Sequence, residues 1–333
     1  MPTLSLKPPA DYLLKRDACS YGYFLLAPNY WDVKRKAVSR VFTLSAGPVG
    51  AVIEQRGTPG APLRITLSRS LRAGETAMLI HQIARMLRLD EDADLIAAFH
   101  KADPRFAPSG RGRLMRSPTL FEDVIKTVTS CNVTWPSTVH MNARLCGVLG
   151  KKLDARGGAK DKTGMALAGF PSEHTIARTK PATLRSRCRV GYRDARIVEL
   201  AKLFRTSPQR GGLDQEMLES PATPDDAVFE YLVELPGIGP YAAANIMQLL
   251  GRYGRLPLDT ESVRHGKSLL DCKGTSSQVM NRMKKHYKPF GPHAFRSYWF
   301  ELWDFYESKH GPAHTWERDS TGRMFTAALL NKA

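Results

Sequence analysis

Nothing in this chain pairs its cysteines. Cys19, Cys131, Cys146, Cys188 and Cys272 are scattered, with no C-x-x-C among them. That spacing indicates neither a zinc site nor an iron–sulfur cluster, and the odd, unpatterned count fits a reducing compartment. Long apolar runs are missing too. The opening stretch MPTLSLKPPADYLLKRD has no apolar core of signal-peptide length, and no later stretch is long enough to span a membrane. The expectation is an intracellular protein, in cytoplasm or nucleoid if bacterial and in the nucleus if eukaryotic. Acidic residues are scarce: 32 Asp and Glu stand against 49 Lys and Arg, for a formal charge of +17 and a pI near 9.8. A globular chain that basic usually meets a polyanion. The basic residues are spread along the chain, which suits a folded phosphate-binding face more than a basic tail.

What is present is an ordinary apolar share, 42% of 333 residues, enough for two or three domains with a real core. Residues 1 to about 70 read as a small antiparallel sheet. Its strand candidates are Val41–Leu44, Ala51–Gln55 and Leu63–Leu67, with a hairpin connection over 57–62. A helix is expected over 74–89, with Met78, Ile80, Ile83, Ala84 and Leu87 on its apolar side, and a shorter one over 90–100. The Pro/Gly/Arg-rich stretch 103–116 marks the boundary between a sheet domain, 1–105, and a helical domain, 106–333. Residues 151–164 read as a surface loop and 317–333 as a tail. The fold class is α+β.

The chemistry concentrates in ELPGIGPYAAANIMQLLGRYGRLPLDTESVRHGK, residues 234–267. Gly237 and Gly239 allow a tight reversal between two helices and close approach of a ligand to the backbone. Pro236 and Pro240 suit the turn and the first position of the next helix. Free amides near Gly239 and Tyr241 then form an anion site, for which phosphate is the obvious occupant. Downstream, Asp259 opens another helix, where the helix dipole favours its ionised form.

This stretch resembles the helix-hairpin-helix (HhH-GPD) signature of base-excision DNA glycosylases. The run from Cys19 to Trp31 is similar to the sheet domain of the 8-oxoguanine and alkylpurine members. The resemblance implies a helical glycosylase body of two subdomains, with the hairpin over 225–252 and the aspartate loop over 255–262. It implies that Gly237, Ile238, Gly239 and Tyr241 grip a DNA phosphate. A monovalent cation on the carbonyls of Leu235 and Ile238 would assist; no other cofactor is expected. Asp259 becomes the catalytic carboxylate. Bifunctional members carry a lysine two residues after the second hairpin glycine. Here that position is Tyr241, and a phenol cannot form a Schiff base, so a monofunctional enzyme that uses water is expected.

Other residues carry two readings each. Asn132, in the turn Ser130–Trp135, matches the residue that fills the gap left by a flipped base, but it also suits a helix C-terminus. Arg193, in the Gly-Tyr-Arg segment 191–193, reaches phosphate or belongs to a solvated basic face. Asn245 faces the base or is a structural amide. Tyr298 and Leu302 sit on the aromatic last helix where relatives line the base pocket, although such a stripe also builds core. The function expected is excision of a damaged or mismatched base from double-stranded DNA by a monomer. The alternatives are a catalytically silent DNA binder on the same scaffold and a lyase using another amine, such as Lys267.

Overall fold

The computed structural model describes residues 1–153 and 168–318. The stretch 151–164 expected as a loop falls mostly outside these residues, as does nearly all of the expected tail. Five antiparallel strands form one sheet: β1 (Thr3–Leu6), β2 (Tyr30–Asp32), β3 (Ala37–Leu44), β4 (Gly47–Gln55) and β5 (Leu63–Leu67), in the order β1-β5-β4-β3-β2. Alternation sets its inner face, with Leu63, Ile65 and Leu67 buried along β5 and Ile65 opposite Ile53. β3, β4 and β5 contain the expected strands. β1 and β2 are short edge strands whose sequences carry little pattern. The aromatic run Tyr21–Leu26 is not a strand; it folds into tight helical turns and is wholly buried.

The longer helices follow. They are α1 (Glu75–Leu87), α2 (Ala93–Ala102), α3 (Leu120–Ser130), α4 (Trp135–Leu149), α5 (Asp194–Arg205), α6 (Asp225–Val233), α7 (Pro240–Leu249), α8 (Thr260–Leu269), α9 (Ser276–Tyr287) and α10 (Ala294–His310). On α1 the inner stripe is Leu79, Ile83, Met86 and Leu87. Met78, expected inside, is 45% exposed, because a stripe of four-residue spacing that includes Ile83 passes through Leu79.

Two hydrophobic cores form. One joins the sheet, α1 and α2 to the helices after Asp259; Phe42, Ile65, Ile83, Phe99, Tyr287, Phe295 and Trp303 all contribute. The other packs α3 to α7, with Val124, Leu145, Ile197, Leu232 and Ile246 at its centre. Charged side chains tie the two together. Glu122 on α3 reaches Arg40 of β3 at 2.9 Å and Lys126 at 2.7 Å, all three buried. Burial alone would raise the Glu122 carboxyl, but the Arg40 and Lys126 charges outweigh it and hold the group at about 2, against an ordinary 4.5.

The stretch 103–116 ends in buried residues: Arg113, Leu114, Met115 and Arg116 are at most 6% exposed. Arg88, just past α1, donates to the carbonyls of Gln248 (2.6 Å) and Leu249 (2.9 Å) at the end of α7, and to Leu114 (3.0 Å). Arg116 also donates to the Leu249 carbonyl, at 3.0 Å. Two guanidinium groups therefore complete the C-terminal carbonyls of α7, where a helix carries partial negative charge.

Two outcomes follow from these contacts. Arg88→Met takes one donor from each of three carbonyls and removes the Arg88 charge from beside buried Glu91, so urea unfolding should show a loss of roughly 3–5 kcal/mol; a loss below about 1 kcal/mol would refute the clamp. For Glu122 the folded pKa lies below the ordinary one, so its contribution is complete above 4.5 and disappears as pH falls toward about 2. Acid titration of unfolding stability should accordingly be shallower across that window in Glu122→Gln than in the unaltered chain.

Candidate active site

The hairpin is built as its residues dictate. α6 ends at Glu234, the Ile238 amide returns to the Leu235 carbonyl at 3.0 Å, and Pro240 starts α7 with Gly239 as its N-cap. The two glycines differ in kind. Gly237 has φ +77°, and a Cβ there would stand 2.7 Å from the Arg196 side chain. Gly239 has φ −92°, and a Cβ there would meet nothing within 4 Å. So Gly237 serves the turn itself, while Gly239 leaves open space outside the backbone. Pro240 has no N–H, which leaves Tyr241 and Ala242 as amides at the helix start that no intrahelical carbonyl can reach. Ala242, Ala243 and Ala244 are at most 3% exposed, so α7 packs closely against its neighbours.

Asp259 is half-buried and is the N-cap of α8. Its Oδ1 accepts the Ser262 amide at 3.0 Å and the Ser262 hydroxyl at 3.2 Å, and its own amide donates to Ser262 Oγ at 3.2 Å. Ser262 Oγ in turn lies 2.8 Å from the Tyr298 hydroxyl. Among the described residues no Lys, Arg or His forms an ion pair with Asp259. The carboxylates of Asp17, Glu75, Glu91, Glu122, Asp123, Glu261 and Glu301 all have such partners.

Tyr241 lies near Asp259. Burial raises its phenol well above the ordinary value, and the Asp259 charge raises it further. Tyr298 is raised by the same two causes in the same order. Both rings are therefore neutral hydrogen-bonding groups beside the Asp259 carboxylate. Asn245 is 8% exposed and already engaged: its amide donates to the Tyr241 carbonyl at 3.3 Å and its Oδ1 accepts from Tyr21 at 3.5 Å. That favours its reading as a structural amide. Leu302 is 2% exposed inside the first core.

The turn after α3 reaches the same place. Asn132 is exposed and left-handed, with φ +52°, one residue past the helix cap Cys131. The Cys131 thiol is pushed up to about 11 by burial; Arg193 opposes the rise, and Asp259 is close enough to add to it. Arg193 is not available to phosphate. It is 4% exposed, and its guanidinium donates to the carbonyls of Val128 (3.1 Å), Val190 (3.3 Å) and Cys131. Its charge completes the end of α3 and holds the Asn132 turn. Arg189 and Arg196 on either side of it are exposed, and the alkyl stem of Arg196 crosses Gly237. The Tyr192 ring is 54% exposed, 4.4 Å from the Arg193 guanidinium and 5.6 Å from that of Arg196. Lys267 is exposed on α8, eight residues beyond Asp259, which is about 12 Å along a helix.

Neither known protein families nor curated proteins match this sequence. Solved structures do. A 3-methyladenine DNA glycosylase from Archaeoglobus fulgidus superposes with a TM-score of 0.63 at 20% identity, over 91% of this chain and 98% of that one. The apo form of the Clostridium acetobutylicum 8-oxoguanine glycosylase/lyase gives 0.63 at 15%, over 90% and 95%. MBOgg1 in complex with a low-affinity DNA ligand gives 0.64 at 15%, over 93% and 96%. The fold is that of the helix-hairpin-helix DNA glycosylases. At these identities the likeness is one of fold. It covers both the sheet and the helical body, and so agrees with the α+β class read from the sequence. The sequence pointed to Asp259 and the hairpin but gave no role to Ser262 or to the Tyr21 hydroxyl. Ser262 had a local signal, an N3 side chain following an N-cap Asp.

The contrast between the glycines is measurable. Gly237→Ala should lose roughly 1–3 kcal/mol of unfolding stability from the strained left-handed position, and Gly239→Ala less than about 1 kcal/mol. Equal losses would mean that the turn does not distinguish them.

Proposed function

We propose that the protein is a monofunctional DNA glycosylase that hydrolyses the N-glycosidic bond of a damaged or mismatched base in double-stranded DNA. One observation carries this reading. In a chain of charge +17, the half-buried carboxylate at the start of α8 has hydrogen-bond donors but no described cation partner. Asp32 and Asp214 are half-buried without a described cation partner as well, but only Asp259 lies beside the hairpin's Tyr241 and the turn that carries Asn132, where its charge can act on a bound strand.

Cleavage of an N–C1′ bond supplies that counter-charge, because positive charge builds on the sugar as the bond breaks. Asp259 stabilises that charge and orients water toward C1′. The base leaves with the bonding electron pair and takes up a proton. Water delivers its oxygen to C1′ and the strand stays unbroken at an abasic site. Before this the base must leave the stack, which costs a few kcal/mol and needs a group to hold the gap. Asn132, exposed on a turn whose neighbour Cys131 feels the Asp259 charge, is the residue for that task. The open backbone at Gly239 and the amides of Tyr241 and Ala242 accept a phosphate. The carbonyls of Leu235 and Ile238 have the chemistry to hold a monovalent cation beside it. Tyr241, a half-buried phenol, removes the Schiff-base route at that position, and Lys267 lies too far along α8 to replace it.

The test is single-turnover cleavage of duplexes carrying 8-oxoguanine, an alkylated adenine, hypoxanthine, uracil or a thymine mismatch. One of them should yield breaks only after alkali. Asp259→Asn should slow that reaction about 100-fold or more, and borohydride should trap no covalent adduct. A trapped adduct would establish lyase chemistry. Tight, salt-dependent binding with no cleavage would point to a silent DNA binder. Affinity should fall steeply with salt, and Gly239→Ala should weaken it without loss of fold.

A further inference from the structure

We infer that Ser262 and Tyr298 form a positioning chain that gives the two oxygens of Asp259 different work, Oδ1 to fix the carboxylate and Oδ2 to meet the substrate. This rests on the reading of Asp259 as the catalytic group.

A serine hydroxyl has one hydrogen and two lone pairs. Three groups lie within hydrogen-bond distance of Ser262 Oγ: the Asp259 amide at 3.2 Å, the Tyr298 hydroxyl at 2.8 Å and Asp259 Oδ1 at 3.2 Å. The amide can only donate. Oδ1 of an ionised carboxylate can only accept. Tyr298 is 3% exposed and its hydroxyl has Ser262 as its one recorded partner, so its hydrogen goes there. Both lone pairs of Ser262 are then filled, and its single hydrogen has one destination, Oδ1. The Ser262 backbone amide donates to the same oxygen at 3.0 Å.

Oδ1 thus holds two donors, while no described donor reaches Oδ2. A carboxylate torsion is ordinarily broad and nearly two-fold, so that its oxygens exchange readily. Two donors fixed on one oxygen remove that freedom. The chain is itself held rigid. The Tyr298 ring meets His265 edge-on at 5.6 Å and Tyr287 at 5.5 Å, and Ser262 is fully buried.

Tyr298→Phe removes one hydroxyl and leaves the cap between Asp259 and Ser262 in place. At saturating DNA it should slow single-turnover cleavage about tenfold, with affinity for an abasic duplex unchanged and the melting temperature lowered by only about a few degrees. Ser262→Ala should slow it further. Tyr298→Phe added to Ser262→Ala should change nothing more, since the phenol acts through the serine. The infrared carboxylate stretch assigned to Asp259, by difference against Asp259→Asn, should shift in Tyr298→Phe. An active protein whose rate and band are both indifferent to Tyr298→Phe would overturn the inference, as would additive effects of the two substitutions. A protein that cleaves no duplex but whose Asp259 band shifts in Tyr298→Phe would retain the positioning chain and lose the glycosylase reading. An inactive protein with no shift would lose both.

Discussion

The arrangement depends on how the far end of α7 is held. Arg88 and Arg116 come from the sheet side of the molecule and donate to the last carbonyls of that helix. A buried guanidinium is costly to desolvate and is retained only where its donors are well satisfied. Here the carbonyls of Leu114, Gln248 and Leu249 share them, with Glu91 nearby at 3.7 Å from Arg88. With one end of α7 fixed to the sheet side, its other end, bearing Gly239 and Tyr241, has a defined position relative to α8. The charges inside the molecule are thus mainly structural, and Asp259 has hydrogen-bond donors but no cation partner among the described residues.

The site is assembled from chain ends. α7 and α8 each present an N-terminus, with the partial positive charge of unpaired amides. α3 presents its C-terminus, whose carbonyls are neutralised by Arg193. The same helix physics therefore produces three different results. At α7 the first amides have no carbonyl partner within the helix. At α8 they are occupied by Asp259, which is thereby held in place. At α3 an internal cation closes the end and leaves the Asn132 side chain projecting from a left-handed turn. None of these needs a flexible element.

The hairpin and Asp259 were legible in the sequence because their chemistry is local: two glycines, two prolines and an acid at a helix start act within a few residues. Where the contact is remote, the sequence was silent. Arg193 carries the same charge whether it faces solvent or donates to carbonyls 62 and 65 residues away, so it read as a phosphate contact or part of a solvated face when its side chain is in fact buried. Ser262 and Tyr298 are 36 residues apart, and each read separately is an ordinary cap neighbour and an ordinary core aromatic. β1 and β2 escaped notice because three- and four-residue edge strands carry too little alternation to register. The α1 stripe was misplaced at Met78 because Met78 and Leu79 are both apolar, and only packing chooses between them.

Tyr241 shows how one substitution can redirect a site without altering its fold. An amine at the start of α7 would lie beside Asp259 and be drawn into an ion pair with it. The carboxylate would then be partly spent before substrate arrived. A phenol cannot do this. Burial and the neighbouring charge both keep it neutral, so it can donate one hydrogen bond without cancelling the charge. The Tyr298 phenol obeys the same rule from the other side. The neutral donors that reach Asp259 come from Ser262, with Tyr298 behind it, and they hold the carboxylate while leaving its field intact, which under the proposed reaction suits stabilisation of a cation that exists only during bond cleavage. A lysine would have supplied a nucleophile at the expense of that field, so the two tyrosines and the unpaired aspartate are best understood as one choice of chemistry.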